Sequence, residues 1–478
     1  MTEGKDAVWA EVCLHINDAA LGPLVTGFAQ TGVADALLGA SGGVVVRGLA
    51  ENLGLRQGLL HLASRVFELQ GWASREEAAR PERTLWRLTG KGREILQRSR
   101  GAGEISIAVA AAMARLYRSG VRADLLSDPI VALGCQDALA ALEPAGWSQR
   151  DGGLWTASDA GRLAIAMAPQ FLYVDGYRAL FSSAAALLQD TGPYRLERDV
   201  DDNEGHVDRA ADIAFSGLVF ARNCRAPFLT VALPLFDNEP PGRQPRAVVD
   251  TGAGDGTLLI ELYHAIRNGT RRGRCLAEHP LTMVAAELSA VARGVAAARL
   301  EQAEVPHLVV PGDIGAPDAL AETLSRHGID MADALHVNKS VIHNRSIGEV
   351  SVPAPDDPAF AGSLAVHLDQ AARPMTPQAA AGDLIAWFAR WRPWTARHGM
   401  VAIEAHAASP QAVQRAGATP IPATELSHGL SLQHLVEPLF HRRAAELAGY
   451  ERLVAHDLQS SLLGEPLMTC DHLMPGLN

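Results

Sequence analysis

Residues 247–262 read AVVDTGAGDGTLLIEL, and the order of residue types in this stretch decides the fold. Ala247–Asp250 is a short, β-branched apolar run, the pattern of a strand buried on both faces. Gly252, Gly254 and Gly256 follow at alternate positions. Without a Cβ, a glycine turns tightly and lets a ligand approach the backbone. An apolar helix pattern, LLIELYHAI, begins directly after the loop. The first amides of a helix have no partner within it and face whatever the loop holds. The spacing is DxGxGxG. It is not the GxGxxG of dinucleotide-binding folds, and it lacks the Lys-Ser/Thr of a phosphate-cradling loop.

Working outward, four further strand-like segments follow in order. TMVAAELS carries Glu287 at its end, and HLVVPGDIGAP carries Asp313 and Ile314. DALHVNKSVIHN and GMVAIEAHAASP complete the series. With these in place, VVDTGAGDGTLLIEL resembles motif I of the class I S-adenosylmethionine-dependent methyltransferases. The resemblance implies an α/β Rossmann-like class I methyltransferase core over residues 242–478. It implies that Asp250 and the loop of Gly252, Gly254 and Gly256 hold the methionine end of S-adenosyl-L-methionine. Glu287 would take the ribose hydroxyls, which suits an ionised carboxylate because it only accepts hydrogen bonds. Asp313, with Ile314, would meet the adenine. Glu287 follows Asp250 by 37 residues, a longer interval than the family's, and RNGTRRGRCLAEHP reads as a loop insertion that accounts for it. Singly, Asp250 can close a turn, Glu287 can be a helix N-terminal acid, and Asp313 can be a turn residue before Gly315. The ordered set favours the cofactor reading.

The chain has 17 histidines, and His336, His343, His406, His428, His434 and His441 collect past the expected strand ends. Catalytic groups in an open α/β sheet lie beyond the carboxyl ends of its strands. HVNKSVIHNR, IEAH and HGLSLQHL resemble the metal-containing C-methyltransferase modules of some polyketide synthases. That narrower resemblance implies an H-x4-Q ligand pair, His428 and Gln433, for one mononuclear iron or manganese ion. Such an ion would stabilise an enolate as a Lewis acid. His336, His343 and His406 are the candidate bases or acceptor contacts, since a histidine near its ordinary pKa takes a proton at neutral pH. His434 and His441 read as solvated positions on a helix. The expected reaction is methylation at a carbon alpha to a carbonyl, in natural-product metabolism. A metal-independent small-molecule O-methyltransferase is the alternative, although no His-Asp pair names its base.

The first third carries a repeat. Trp86 with Gly92-Arg93 recurs 69 residues later as Trp155 with Gly161-Arg162. Around the first copy, three helix patterns precede a short hairpin, which predicts duplicated winged helices over 1–100 and 101–170. A mainly α lid and linker over 171–241 follows, closed by the Pro-rich NEPPGRQPR. The helix GLLHLASRVFELQGW is too apolar for DNA recognition, so a scaffold or dimerisation role is expected. The other reading of these modules is a ligand-responsive regulator. Trp72, Trp86, Trp147 and Trp155 are expected core anchors. The loop YRLERDVDDNEGHVDR and Tyr173, Tyr177 and Arg222 are possible acceptor contacts.

The 478 residues are 48% hydrophobic, with 42 Lys+Arg against 54 Asp+Glu. The resulting charge of -12 argues against nucleic acid as a partner. The five cysteines form no CxxC, so neither a disulfide framework nor structural zinc is expected. The N-terminus lacks an apolar signal core, and no apolar run of membrane-spanning length is read. A cytoplasmic homodimer acting on a small-molecule or carrier-bound acyl acceptor, away from any membrane, is the expectation.

Overall fold

The computed structural model describes residues 3–98, 103–197, 204–347 and 354–476. The chain divides into two compact units. The first comprises Met1–Phe215, Ala371–Pro374 and Ser409–Ser431, and the second Ser216–Gln370, Met375–Ala408 and Leu432–Asn478.

The first unit is mainly helical. Its longest element is the helix Glu3–Thr31. Against the sequence expectation, this helix is long and apolar enough to cross a membrane by length and composition, but 67% of the qualifying window is buried within the protein. A mostly buried core helix passes the same test. Helices Val46–Leu53 and Gln57–Leu69 lie between the first and second strands of a three-stranded sheet, in which Leu85–Leu88 pairs between Val44–Val45 and Ala73–Glu76. The hairpin Ser148–Asp151/Leu154–Ala157 lies later in the same unit.

The structure explains the repeated glycine. In the first copy Thr89 N–H donates to the Trp72 carbonyl, and Thr89 Oγ1 accepts from Gly92 N–H. In the second, Ser158 N–H donates to the Trp147 carbonyl, and Ser158 Oγ accepts from Gly161 N–H. A Cβ on Gly92 would lie 2.0 Å from the Trp72 oxygen, and one on Gly161 1.7 Å from that of Trp147. Only glycine lets the capped helix start lie on that turn. The following arginines tie each helix down: Arg93 donates to the Leu38 and Ala40 carbonyls, and Arg162 to that of Ala123. Trp72, Trp86 and Trp147 are buried as expected. Trp155 is not: it is half-buried, with the Arg150 guanidinium 5.8 Å above its ring.

The second unit holds a seven-stranded sheet. Its strands are β1 (Ala247–Thr251), β2 (Thr282–Ala286), β3 (His307–Val310), β4 (Ala334–Lys339), β5 (Met400–Ala405), β6 (Tyr450–Gln459) and β7 (Pro466–Pro475). They lie in the order β6-β7-β5-β4-β1-β2-β3. β1 to β5 are parallel, and β7 runs antiparallel to both its neighbours. One face packs Val249, Val284, Ala334 and Ala402 against Trp387, Trp391 and Phe440. The other packs Val248, Met283, Val337 and Ile403 against Phe228, Leu259 and Leu262. Burial on both sides is why the central strands are mainly apolar, with polar residues gathering toward the carboxyl ends of β1, β4 and β5. This is the Rossmann-like architecture that the glycine-loop sequence implied. β2 and β4 flank β1 on opposite sides, so the strand order reverses at β1/β4 and opens a crevice beyond their carboxyl ends.

The expected insertion after the first α/β helix is a 3₁₀ turn, Gly273–Cys275, anchored by Arg272. Its buried guanidinium donates to the His279 and Pro280 carbonyls. Tyr173 and Tyr177 are buried in the first unit, and Arg222 is exposed in the π-helical turn Phe220–Cys224. Residues 198–203 of the acidic lid loop lie outside the described residues.

Candidate functional site

At the end of β1 the chain enters the glycine loop. Gly252, Gly254 and Gly256 all have positive φ, at +81°, +55° and +77°. L side chains rarely adopt that backbone conformation. The Gly252 N–H donates to the Ala286 carbonyl at 2.8 Å, tying the loop to the end of β2. A Cβ on Gly252 would come within 2.6 Å of Val341. Helix Thr257–Gly269 starts immediately after Gly256, so its free amides face the loop's concave side. Asp255 accepts from Thr257 N–H and pairs with Arg299, bracing the loop against helix Ala290–Gln302.

Asp250 is the penultimate residue of β1 and is buried, and its Oδ1 has no hydrogen-bond partner among the described residues. Burial raises its carboxyl well above the usual range; the Glu287 charge adds to this and the Lys339 ammonium opposes it. An orphaned carboxylate oxygen beside a glycine loop fits a ligand bearing an ammonium group.

Glu287 is half-buried at the end of β2. Its carboxylate accepts from Gly254 N–H at 3.0 Å and Ser289 N–H at 3.1 Å. A carboxylate has about four lone-pair sites, so these bonds fix its direction and leave capacity for a pair of hydroxyls. Asp313 follows β3, and its Oδ1 accepts from Gly315 N–H at 2.7 Å. Ile314 is buried. Its carbonyl accepts the indole N–H groups of Trp387 and Trp391, at 2.8 and 3.0 Å. The structure thus places Asp250, the three glycines and Glu287 together, with Asp313 and Ile314 on the loop after the adjoining strand.

The loop after β4 carries a buried histidine–glutamate pair. Ser340 has φ +55°, unusual for a non-glycine residue, and its N–H donates to the Ile403 carbonyl. His343 follows, buried, with its Nδ1 hydrogen-bonded to Glu404 Oε1 at the end of β5. The other Glu404 oxygen accepts from Ile342 N–H at 3.2 Å. Arg345 clamps the turn: it bonds the Ile342 carbonyl at 3.1 Å and pairs with buried Asp383 at 2.8 Å. The His343 carbonyl accepts from His434 N–H at 2.6 Å. Burial acts to raise the Glu404 carboxyl, but His343, His441 and His406 outweigh it and hold Glu404 well below the ordinary value. With Nδ1–H given to an ionised carboxylate, Nε2 is the ring nitrogen that would carry the lone pair of a neutral His343, as a general base requires.

Sequence reasoning missed this pair. The two residues are 61 positions apart. The one available signal was a glutamate ending an otherwise apolar buried strand, where a charge needs a partner.

The remaining histidines divide. His336 was read as lying past a strand end, but it is inside β4. There its ring meets Trp391 at 5.3 Å, its Nε2 bonds the Met331 carbonyl, and burial lowers its pKa to about 4. The structure does not bring it to His343. His406 has both ring nitrogens engaged, Nδ1 with the Val436 carbonyl and Nε2 with Thr469 Oγ1. Nδ1 therefore donates, both ring nitrogens are engaged, and burial lowers the pKa of this fixed ring. His434 and His441 are buried rather than solvated, and His434 precedes helix Pro438–Leu447 instead of lying on it.

His428 belongs to the first unit, where its Nδ1 bonds the Thr424 carbonyl at 2.7 Å. Gln433 belongs to the second. Among the described residues no three His, Cys, Asp or Glu side chains form a group that could hold a metal ion. No step below runs through the expected iron or manganese.

A family model described as the AprA MT2-like domain matches residues 204–459, more than half of the chain. No curated protein sequence matches. Several solved structures are similar. An O-methyltransferase family 2 protein from Planctomyces limnophilus, in complex with apigenin, is 14% identical, with 97% of this chain and 96% of that one covered at a TM-score of 0.42. CalO1, a methyltransferase in calicheamicin biosynthesis, is 15% identical over 81% and 100% of the two chains, at 0.39. The DszA carbon methyltransferase is 14% identical over 91% and 94%, at 0.35. Likenesses of this strength carry no argument about chemistry.

Proposed function

From the premise that this chain belongs to the AprA MT2-like methyltransferase family, we propose that it moves a methyl group from S-adenosyl-L-methionine to an acidic carbon alpha to a carbonyl, in natural-product metabolism. The single observation that carries the acceptor side is the buried His343–Glu404 pair beside the glycine loop. The donor supplies an electrophilic methyl on a sulfonium.

The chain's own residues do the rest. Asp250 and the loop amides would hold the ammonium and carboxylate of the amino-acid end, and Glu287 the ribose hydroxyls. His343 Nε2 would take the proton from the acceptor, and Glu404 would stabilise the resulting imidazolium. Alignment of nucleophile, methyl and sulfur accounts for the remaining rate. A histidine base matches an acceptor already acidified by neighbouring carbonyls, such as a malonyl-type or β-keto acyl group, free or carrier-bound. An acidic hydroxyl is served by the same pair, so the O-methyltransferase reading rests on the same geometry.

Calorimetry with S-adenosyl-L-methionine tests the donor half. Binding is expected, and Asp250→Ala should weaken it at least ~10-fold through the lost charge-assisted hydrogen bond. His343→Ala should leave binding intact and lower kcat by about 10³-fold. Methyl-labelled donor with β-keto acyl and phenolic acceptors separates carbon from oxygen products. Absence of cofactor binding ends the proposal. Full activity in His343→Ala ends the base assignment.

A further inference from the structure

Glu404 has neighbours that methyl transfer, as described, leaves unused. Side chains alternate along a strand. Val249 lies opposite His336, and Ala402 opposite Asn338, so Thr251, Asn338 and Glu404 project to one face of the sheet at its carboxyl end. His441 reaches the same face from helix Pro438–Leu447, its ring 5.3 Å from Phe388 and 5.6 Å from His406.

These groups are deeply buried: Thr251 is 2% exposed, Asn338 1% and His441 2%. Thr251 Oγ1, Asn338 Oδ1 and both ring nitrogens of His441 have no hydrogen-bond partner among the described residues. A neutral imidazole carries one N–H and one lone pair in either tautomer, so His441 leaves a donor and an acceptor unmatched. Native proteins rarely leave such groups unmatched, and internal water bound to two to four polar groups is the usual remedy.

The charged and titratable groups facing this space are few. His343, His406 and His441 face Glu404, while Glu404, His406, Arg345 and Arg442 face His441. Arg345 is committed to Asp383, and Arg442 to Asp457 and Asp471. His406 is saturated. His441 is thus the one uncommitted polar ring beside the carboxylate among the described residues.

We propose that His441 is a positioning residue that, with Thr251 and Asn338, holds internal water against Glu404 and so sets how tightly the His343–Glu404 pair binds a proton. This rests on the reading of His343 as the base. Water donating to Glu404 stabilises the deprotonated, net-negative pair. Without that donor the pair holds its proton more tightly, and the His343 pKa rises.

The test is an NMR titration of the imidazole-labelled 478-residue chain, with the His343 signal assigned by its loss in His343→Gln. In His441→Phe the His343 pKa should rise by about one unit, and the acidic limb of the pH–rate profile should move with it. His441→Gln, which keeps a donor and an acceptor, should restore the wild-type value. An unshifted His343 in His441→Phe overturns the proposal. If circular dichroism shows that His441→Phe does not fold, Thr251→Val is read instead: a shift in the same direction supports the water network, and none overturns it. The readout does not depend on turnover. A shifted His343 in an enzyme that stays active as His343→Ala sinks the base assignment alone.

Discussion

The loops that leave β1 and β4 are neighbours on one sheet and are built in opposite ways. The first works through its backbone: three glycines at positive φ, their own amides bonded to Ala286, Glu287 and Ala253, bend the chain into the helix whose first amides face the loop, and the carboxylates of Asp250 and Glu287 flank it. The second works through side chains: His343 is aimed by Glu404, and its turn is clamped by Arg345 and Asp383. A backbone site needs residues that lack something, and it is written in a few consecutive letters. A side-chain site needs partners brought from far along the chain. The first should control donor affinity and the second turnover, and substitutions can test that division.

The largest effect is expected where the loops touch. Gly252→Val would force a branched side chain into Val341 at a positive φ. Donor affinity should fall by at least ~10³-fold, or ~4 kcal/mol, and turnover should fall with it, the one substitution that breaches both sites. Calorimetry and steady-state rates together would show this. Next, Arg345→Met leaves Asp383 buried without its cation. Stability should drop by about 3–5 kcal/mol, seen as a lower urea midpoint at unchanged slope. Glu404→Gln should lower kcat by about 10²-fold, since the carboxylate that orients and stabilises a charging histidine is lost. Its donor affinity should match wild type. A large loss of affinity there would erase the proposed division between the loops.

The smallest effect is a pH dependence. Burial and the Glu287 charge raise the Asp250 pKa in the free protein, so part of that carboxyl is protonated near its shifted pKa. An ammonium-bearing donor binds the ionised form. Donor affinity should therefore strengthen as pH rises, by up to about tenfold per unit below that pKa, and level off above it. Asp250→Asn should be flat over the same range.

The contrast between the loops also explains what was legible. AVVDTGAGDGTLLIEL announced strand, loop and helix because every requirement is local, and the later strands followed in order. The acceptor side was only half visible. His343 was found as one of several histidines, but its partner was not, because nothing near it in sequence names Glu404. His336 was misplaced by three residues: β4 runs to Lys339, so the strand end lies beyond it. His434 and His441 looked solvated because histidine is neutral in a hydrophobic pattern, yet packing against Phe388 and the sheet buries His441 fully. The second Trp-x5-Gly-Arg copy was recognised from its spacing, but the reason for the spacing is a carbonyl oxygen under the glycine, which only coordinates disclose.

The carbonyl of Ile314 is gripped by two indoles at once. Trp387 and Trp391 therefore form an optical gauge wired to the segment where an adenine would settle. Any ligand that tugs on Asp313 changes the polarity of that hydrogen-bonded pair, so nucleoside occupancy should register as a shift in native emission, without a label and before any methyl has moved.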